Sequence, residues 1–476
     1  MDPVRSGSRS GTGHAVVLGA GIGGLCAARA LSGHFERVTL VERDTFPGAP
    51  AVRRGVPQGA HVHSLTAAGA EVLDGFFPGF VAELVDGGGT FAGALDELDI
   101  VFFGSRLRQV PLGRVLQVSR PFLEDRLRER VAALPDVSLR QGFEAAGPIT
   151  AESVTAGPVT PDGAPASAAR AGGVRVSGVR LARAGTAGSF EDLAADLVVD
   201  AMGRAGRGAA WLRSLGYPAP AEKRLHVDVG YASRRFRVPP GGLGAAKGVL
   251  VGATPARPRG LVLTQQEGDA WVLSLYGFGR GNHPPETPEE FLAFAGAMLP
   301  AATREALGTA EAITGISSFK YPDCVRREYH RLRRVPEGLV SVGDAVCSLN
   351  PIYGAGMTVA ALEARALQTC LADGPEGLPR RFYREAARAV RLPWLFSTMA
   401  DRAMPQVPGT HPAVARLLGR AFGATMRAAA ADARVATSVW NAVSLSGSPA
   451  GLAHPLVTAS VVRHWSPGTA TGPGKG

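Results

Sequence analysis

Residues Ala15-Val16-Val17-Leu18-Gly19-Ala20-Gly21-Ile22-Gly23-Gly24 run from an apolar strand through a glycine turn into a helix, and Val38-Thr39-Leu40-Val41-Glu42 follows as a second strand that ends in a carboxylate. That order predicts a βαβ unit built to bind a dinucleotide. Gly19 makes the tight turn, Gly21 lets the backbone approach a pyrophosphate, and Gly24 lets the helix lie against the strand. Ile22 and Gly23 open the helix, whose free N–H groups and positive dipole face the phosphates. Glu42 stands 18 residues after Gly24, near the ~20 expected of a carboxylate that accepts ribose hydroxyls. Arg43, beside it, is a candidate contact to the adenine or ribose.

At 476 residues, with 45% hydrophobic and 19% charged residues, the chain is long enough for two or three globular domains. The net charge of +10 comes almost wholly from arginine, the lysines being Lys223, Lys247, Lys320 and Lys475. The basic residues are spread without the runs that mark a nucleic-acid tail, which argues against nucleic-acid binding. Cys26, Cys324, Cys347 and Cys370 fall at no metal-ligand spacing and read as buried free thiols; no metal site is expected. Residues 1–13 read as a disordered lead without the apolar stretch of a signal peptide. No segment reaches the ~18 apolar residues that span a bilayer, so a cytoplasmic protein, as a monomer or a homodimer, is expected.

The pattern predicts a dinucleotide-binding domain over 14–216, with an excursion toward a second domain near 80–115. A helix is expected at about 64–77, a strand at 115–119, and a helix at 120–134 with Leu123, Leu127, Val131 and Leu134 on one face. Residues 145–172 read as a loop or a loose hairpin tip, and strands resume at 174–181 and 195–200. From 217 to 319 the chain becomes β-rich, with a long alternating strand at 225–238 and one helix at 288–298. Residues 320–374 return to the first domain; 375–465 read as a helical cover and 466–476 as a disordered tail. The fold class expected is α/β: a Rossmann-like domain with an inserted β-sheet substrate domain and a C-terminal helical region.

Leu339-Val340-Ser341-Val342-Gly343-Asp344-Ala345 is a strand ending in a Gly-Asp turn, and Asn350-Pro351-Ile352-Tyr353-Gly354-Ala355-Gly356-Met357 opens a second helix. Asp344 can accept a ribityl hydroxyl. The backbone from Pro351 through Gly354, Ala355, Gly356 and Met357 can present N–H groups to the oxygens of a flavin ring, as helix N-termini hold phosphates.

With these residues the sequence resembles the flavin-dependent aromatic hydroxylase superfamily, whose type member is para-hydroxybenzoate hydroxylase. Three landmarks match in order over about residues 14–372: Gly19–Gly24, the region Asp200-Ala201-Met202-Gly203-Arg204, and Gly343-Asp344. The resemblance implies bound FAD, with Asp200 and Arg120 (in Ser-Arg-Pro-Phe-Leu-Glu-Asp) among its contacts. The second landmark departs from the usual adjacent Asp-Gly pair, because Ala201 and Met202 intervene. The stretches Arg53-Arg54-Gly55-Val56-Pro57-Gln58-Gly59-Ala60-His61-Val62-His63 and Asp344–Pro351 are similar to the flavin epoxidases of polyether antibiotic pathways. That similarity implies that Arg53 and Arg54 line the flavin or a nicotinamide path.

The activity implied is that of a monooxygenase. NADPH or NADH reduces the FAD, O2 adds as a C4a-hydroperoxyflavin, and one oxygen atom passes to a lipophilic secondary metabolite, a polyketide or terpenoid alkene. Such chemistry needs no catalytic side chain; Tyr353 is the one candidate at the flavin edge. His61 and His63 read as hydrogen-bonding loop residues, and Trp394, Phe396, Met399 and Met404 as lid or core packing. An aromatic hydroxylase is the nearest alternative and a flavin-dependent prenyl-chain reductase a further one. A flavin-binding protein without turnover is a third. A flavin halogenase is excluded, since no lysine precedes Lys223 and no two tryptophans stand two apart.

Overall fold

A computed structural model describes residues 12–465, save 94–96, 111–113, 152–172, 187, 239–240, 242, 244–245 and 448. Most of the expected lead, the expected tail and the greater part of the 145–172 loop lie outside the described residues.

The first βαβ unit forms the centre of a five-stranded sheet whose strands all run parallel. Its order is Leu339–Ser341, Leu197–Asp200, His14–Leu18, Arg37–Glu42, Val137–Gln141. Both faces of such a sheet are covered, which is why its strands read as unbroken apolar runs. Ala15 and Val17 pack toward the helices Ile22–Leu31 and Gly356–Ala372. Val16 and Leu18 pack the other way, onto a three-stranded sheet of Phe143–Thr150, Val176–Arg183 and Phe190–Ala194. Of the stretch read above as a loop or loose hairpin tip, residues 145–150 belong to one arm of an antiparallel hairpin in that second layer. Their Ala/Gly-rich sequence carries no alternation, and the strand exists because Val176–Arg183 pairs with it.

The helix expected from residue 64 instead starts at Ala67 and ends at Phe76. Thr66 caps it by accepting the Gly69 N–H at 3.3 Å, while Ser64–Leu65 pairs as a short strand with Arg114–Gln117.

A second, larger sheet carries Glu222–Arg237, Ala270–Phe278, Arg259–Gln265 and Gly248–Val251 in antiparallel register. At one edge Leu98–Phe102, from the 80–115 excursion, joins parallel to Gly248–Val251. On the other side Ser317–Arg327 pairs with Glu222–Arg237 and then with Cys347–Ser348. The strand period of two sorts the side chains. Leu261, Leu263, Leu273 and Leu275 pack under the helices Pro288–Gly296 and Ala301–Thr309. The alternate residues face the interior cavity described below. Four helices, Leu378–Arg402, Pro412–Ala431, Ala433–Val443 and Pro455–Arg463, close the molecule over that cavity.

The tightest backbone contact in the first unit is at Gly24, where a Cβ would lie 1.8 Å from the Gly19 carbonyl oxygen; Gly19 itself holds φ +97°. Gly24→Ala therefore has to push the helix off the strand. Its cost should be about 1–3 kcal/mol, read as a lower denaturant midpoint, with loss of flavin retention on gel filtration.

Candidate functional site

Two helices begin with their N-termini toward one cavity, and neither start is capped by a side chain. The helix Ile22–Leu31 starts after Gly21 and the helix Gly356–Ala372 after Ala355, and neither first turn carries an acid. Backbone N–H groups left this way call for an anion or a hydrogen-bond acceptor. A Cβ added at Gly21 would meet nothing nearer than 3.7 Å, and one at Gly354 or Gly356 nothing within 4 Å, so a ligand can lie directly against this backbone. The cavity they share has a volume of about 990 Å³.

At the first helix a buried charge cluster braces the turn. Arg53 sends Nη2 to Glu124 Oε2 at 2.9 Å and to the Ala20 carbonyl at 3.1 Å. Its Nη1 lies 3.3 Å from Glu42 Oε2 and 3.5 Å from Asp44 Oδ2. Glu42 Oε2 also accepts the Ala20 N–H at 2.8 Å, which fixes the end of the second strand to the glycine turn. Arg120 reaches Glu124 Oε1 at 2.5 Å. Burial pushes the Glu124 carboxyl up, but the guanidiniums of Arg120 and Arg53 outweigh it and hold the group below the usual carboxylate range.

At the second helix Asp344 opens onto the cavity, and its carboxylate has no hydrogen-bond partner among the described residues. Burial pushes its pKa up, against the pull of Arg204, Arg120 and Arg327. Arg204 lies over the Tyr321 ring at 4.4 Å and donates Nη1 to Ser348 Oγ at 2.9 Å. Tyr353 lines the cavity and donates its hydroxyl to Asp401 Oδ1 at 2.8 Å, the atom that also accepts Asn350 Nδ2 at 2.9 Å. Asp401 is wholly buried on the helix Leu378–Arg402, and that burial pushes its carboxyl up to about 7.

The larger sheet roofs the rest of the cavity. One row across it, read from the strand registers, is Ile100, Leu250, Val262, Ser274 and Ser233. The row is apolar beneath the C-terminal helices, where Met426, Val439, Trp440 and Val457 pack with Leu98 and Ile100. It is polar at its other end. There Ser274 and Ser233 lie 2.5 Å apart, His61 Nδ1 is 2.7 Å from Ser233 Oγ, and the Val62 N–H donates to Ser274 Oγ at 2.9 Å. Burial lowers the His61 pKa to about 4, so its ring is neutral. If the chain of donors runs from Val62 N–H through the two hydroxyls to Nδ1, it leaves a proton on Nε2, which has no partner among the described residues. His63 donates Nδ1–H to the His61 carbonyl at 3.0 Å, and burial and then Arg120 push its pKa down to about 3.

Of the residues singled out in the sequence, Gly19, Gly21, Ile22, Gly23, Glu42, Arg43, Arg120, Asp344, Pro351, Tyr353, Gly354, Ala355, Gly356 and Met357 all line this cavity, as do His61, His63, Phe396 and Met404. Gly24 lies behind it, in the helix–strand contact. Arg53 is buried among carboxylates and does not reach the cavity; its role is to hold Glu42 and Glu124. Arg54 points to solvent. Asp200 is also not on the cavity: it is fully buried and accepts the N–H groups of Met202 at 3.1 Å and Gly208 at 2.7 Å, so it shapes the turn that presents Met202–Arg207. Arg204, Arg207 and Gln117 line the cavity without having been singled out. Arg204 had a legible signal, closing the Asp200–Arg204 region. Asp401 had a fainter one, as a single acid inside an apolar helix stripe. All four cysteines are free and buried, and no metal-binding cluster occurs among the described residues.

The fold is Rossmann-like α/β, of the para-hydroxybenzoate hydroxylase type. Residues 17–72 match the family model of the NAD(P)-binding Rossmann-like domain. The chain belongs to the family of Protein Rv3254 of Mycobacterium tuberculosis (strain ATCC 25618 / H37Rv), with which it is 35% identical over 405 residues, covering 82% of this chain and 80% of that protein. Solved structures share the fold. A flavin-dependent brominase, the Bmp2 triple mutant, aligns with TM-score 0.63 at 14% identity over 95% of this chain and all of its own. PqsL of Pseudomonas aeruginosa, described as a probable FAD-dependent monooxygenase, aligns with TM-score 0.60 at 17% identity over 85% of this chain and 99% of its own. The tetrameric form of 2-methyl-3-hydroxypyridine-5-carboxylic acid oxygenase aligns with TM-score 0.54 at 20% identity, covering 87% and 97%. At these identities the likeness is one of fold.

Two outcomes follow from the buried charges. Arg53→Met removes the counter-charge of three carboxylates and should cost about 3–5 kcal/mol in urea unfolding. Asp401 binds its proton more tightly folded than unfolded, so it lowers stability as pH rises from about 4, the unfolded value, through about 7. Melting curves of Asp401→Asn and the parent chain should therefore diverge in favour of the variant between pH 5 and pH 8. The slope should reach at most about 1.4 kcal/mol per pH unit.

Proposed function

We propose that this chain is an FAD-dependent monooxygenase that uses NADPH or NADH and O2 to insert one oxygen atom into a lipophilic substrate. One observation carries the reading: two uncapped helix N-termini and the unpartnered Asp344 carboxylate meet in a cavity whose other half is an apolar chamber. The residues fit FAD. The N–H groups after Gly21 would hold its pyrophosphate, Glu42 and Arg43 its adenosine end, Asp344 a ribityl hydroxyl, and the N–H groups of Gly356 and Met357 the ring oxygens. When bound, FAD supplies the activation of oxygen; the chain binds, orients and excludes water. The chamber's wall of Ile100, Leu250, Val262, Met426 and Trp440 suits a large apolar substrate, and His61 Nε2 can hold one oxygen of it in place.

Alkene epoxidation of a polyketide or terpenoid needs no proton acceptor and is the first reading. Hydroxylation of a phenolic polyketide is the second, favoured by the Tyr353–Asp401 pair: a phenol's proton could pass to Tyr353 Oη while the Tyr353 proton moves to Asp401 Oδ1, a base of matched pKa. Halogenation is not the reading favoured, because no lysine among the described residues lines the cavity. Lys223 and Lys320 are exposed, and Lys247 Nζ donates to the Phe91 carbonyl at 2.9 Å.

The test is turnover with isotope-labelled O2 over a panel of polyenes and phenols, with NAD(P)H loss and product mass followed together. One labelled oxygen atom per product is expected. Substrate reduction without oxygen uptake would assign the chain to the prenyl-chain reductases instead. If phenols are the substrates, Asp401→Asn should lower kcat about 100-fold or more above pH 7.

A further inference from the structure

The helices that close the cavity are apolar on their outer faces as well. Of the large hydrophobic side chains exposed in the described structure, most lie between Leu395 and Trp465: Leu395, Val414, Leu417, Leu456, Val462 and Trp465, with Val443 besides, which borders the cavity. Leu417 is 55% and Val462 64% exposed. Val414 and Leu417 are one turn apart on Pro412–Ala431, and Leu456 and Val462 flank the exposed Ala459 on one side of Pro455–Arg463. The two helices pack together, and the Arg427 guanidinium bonds the His464 carbonyl at 3.0 Å.

The same stretch is depleted of acids. Between Leu395 and Trp465 the only carboxylates are Asp401, which is buried, and Asp432, which is paired with Arg434. Arg402, Arg416, Arg420 and Arg463 are exposed and carry no ion pair among the described residues. The outer face is thus apolar and cationic, with no exposed negative charge of its own left unpaired.

We propose that this face docks on the surface of an anionic lipid bilayer. No described helix is long and apolar enough to cross a membrane, so the attachment is interfacial. Arginines on long stems can keep their charge at the lipid phosphates while Leu417, Leu456 and Val462 enter the acyl boundary. A twofold contact with a second copy is disfavoured by the same charges, since it would set arginine against arginine. The inner faces of these helices supply Phe422, Met426, Val457 and Val461 to the cavity wall, so lipid on one side and the apolar chamber on the other are separated by a single helical layer. The proposal stands whether or not the oxygen chemistry above is right.

The experiment is co-sedimentation of the full-length, FAD-reconstituted chain with vesicles of phosphatidylcholine alone or mixed with phosphatidylglycerol. Binding to the mixed vesicles is expected, falling as salt is raised. Leu417→Asp with Val462→Asp, and separately Arg416→Ala with Arg420→Ala, should each weaken it at least tenfold, each arginine near an anionic surface contributing about fivefold. Both variants should keep the parent's flavin content and melting temperature. Failure to sediment with the anionic vesicles at low salt, or sedimentation that neither pair of substitutions alters, would overturn the proposal. So would a dimer mass in light scattering that the Asp substitutions halve while no vesicle binding is seen, which would give the face to a second copy.

Discussion

Backbone N–H groups at the start of a helix need an acceptor, and in this protein two helices leave theirs pointing into one cavity. That constraint organises the rest. The first helix can be presented this way because Gly24 lets it lie against its strand and the Arg53 cluster ties the glycine turn to Glu42 and Glu124. The second follows a turn in which Gly343 holds φ +66°, and the buried Glu363 accepts the Gly343 N–H. Burial keeps Glu363 well above the usual carboxylate range. Arg53 and Glu363 thus stand behind the cavity wall as support for the two glycine turns.

The other half of the cavity follows different physics. Its roof is one face of a sheet whose opposite face is already committed to the helices Pro288–Gly296 and Ala301–Thr309. The exposed row would be a large apolar patch were it not for the C-terminal helices. Asp401 joins this cover to the turn before the helix Gly356–Ala372 through Asn350 and Tyr353, and to the sheet through Cys324.

The cradle was legible because local sequence enforces it: a glycine that must accept a 1.8 Å approach, or a Gly-Asp turn before a helix, has few alternatives. Long alternating strands such as Glu222–Arg237 were equally plain. The misplacements came from residues whose partners are remote. Arg53 and Arg54 are adjacent and look alike in sequence, yet one is enclosed by Glu42, Asp44 and Glu124 and the other faces water. Asp200 stands in the landmark region, but the N–H groups of Met202 and Gly208 claim both its oxygens. For residues 145–150 the sequence left loop and hairpin open, and the pairing with Val176–Arg183 decided for the hairpin.

The sequence by itself determined the dinucleotide unit, the second helix start, the α/β class and the β-rich insertion, since each rests on spacing within a few tens of residues. Tertiary structure alone decided which charged groups face the cavity, that Ser233, Ser274 and His61 form one hydrogen-bonded row, and that Asp401 meets Tyr353. Those contacts join residues 41 to 172 positions apart. Burial and hydrogen bonding at such separations are set by how sheets and helices stack, which no local pattern encodes.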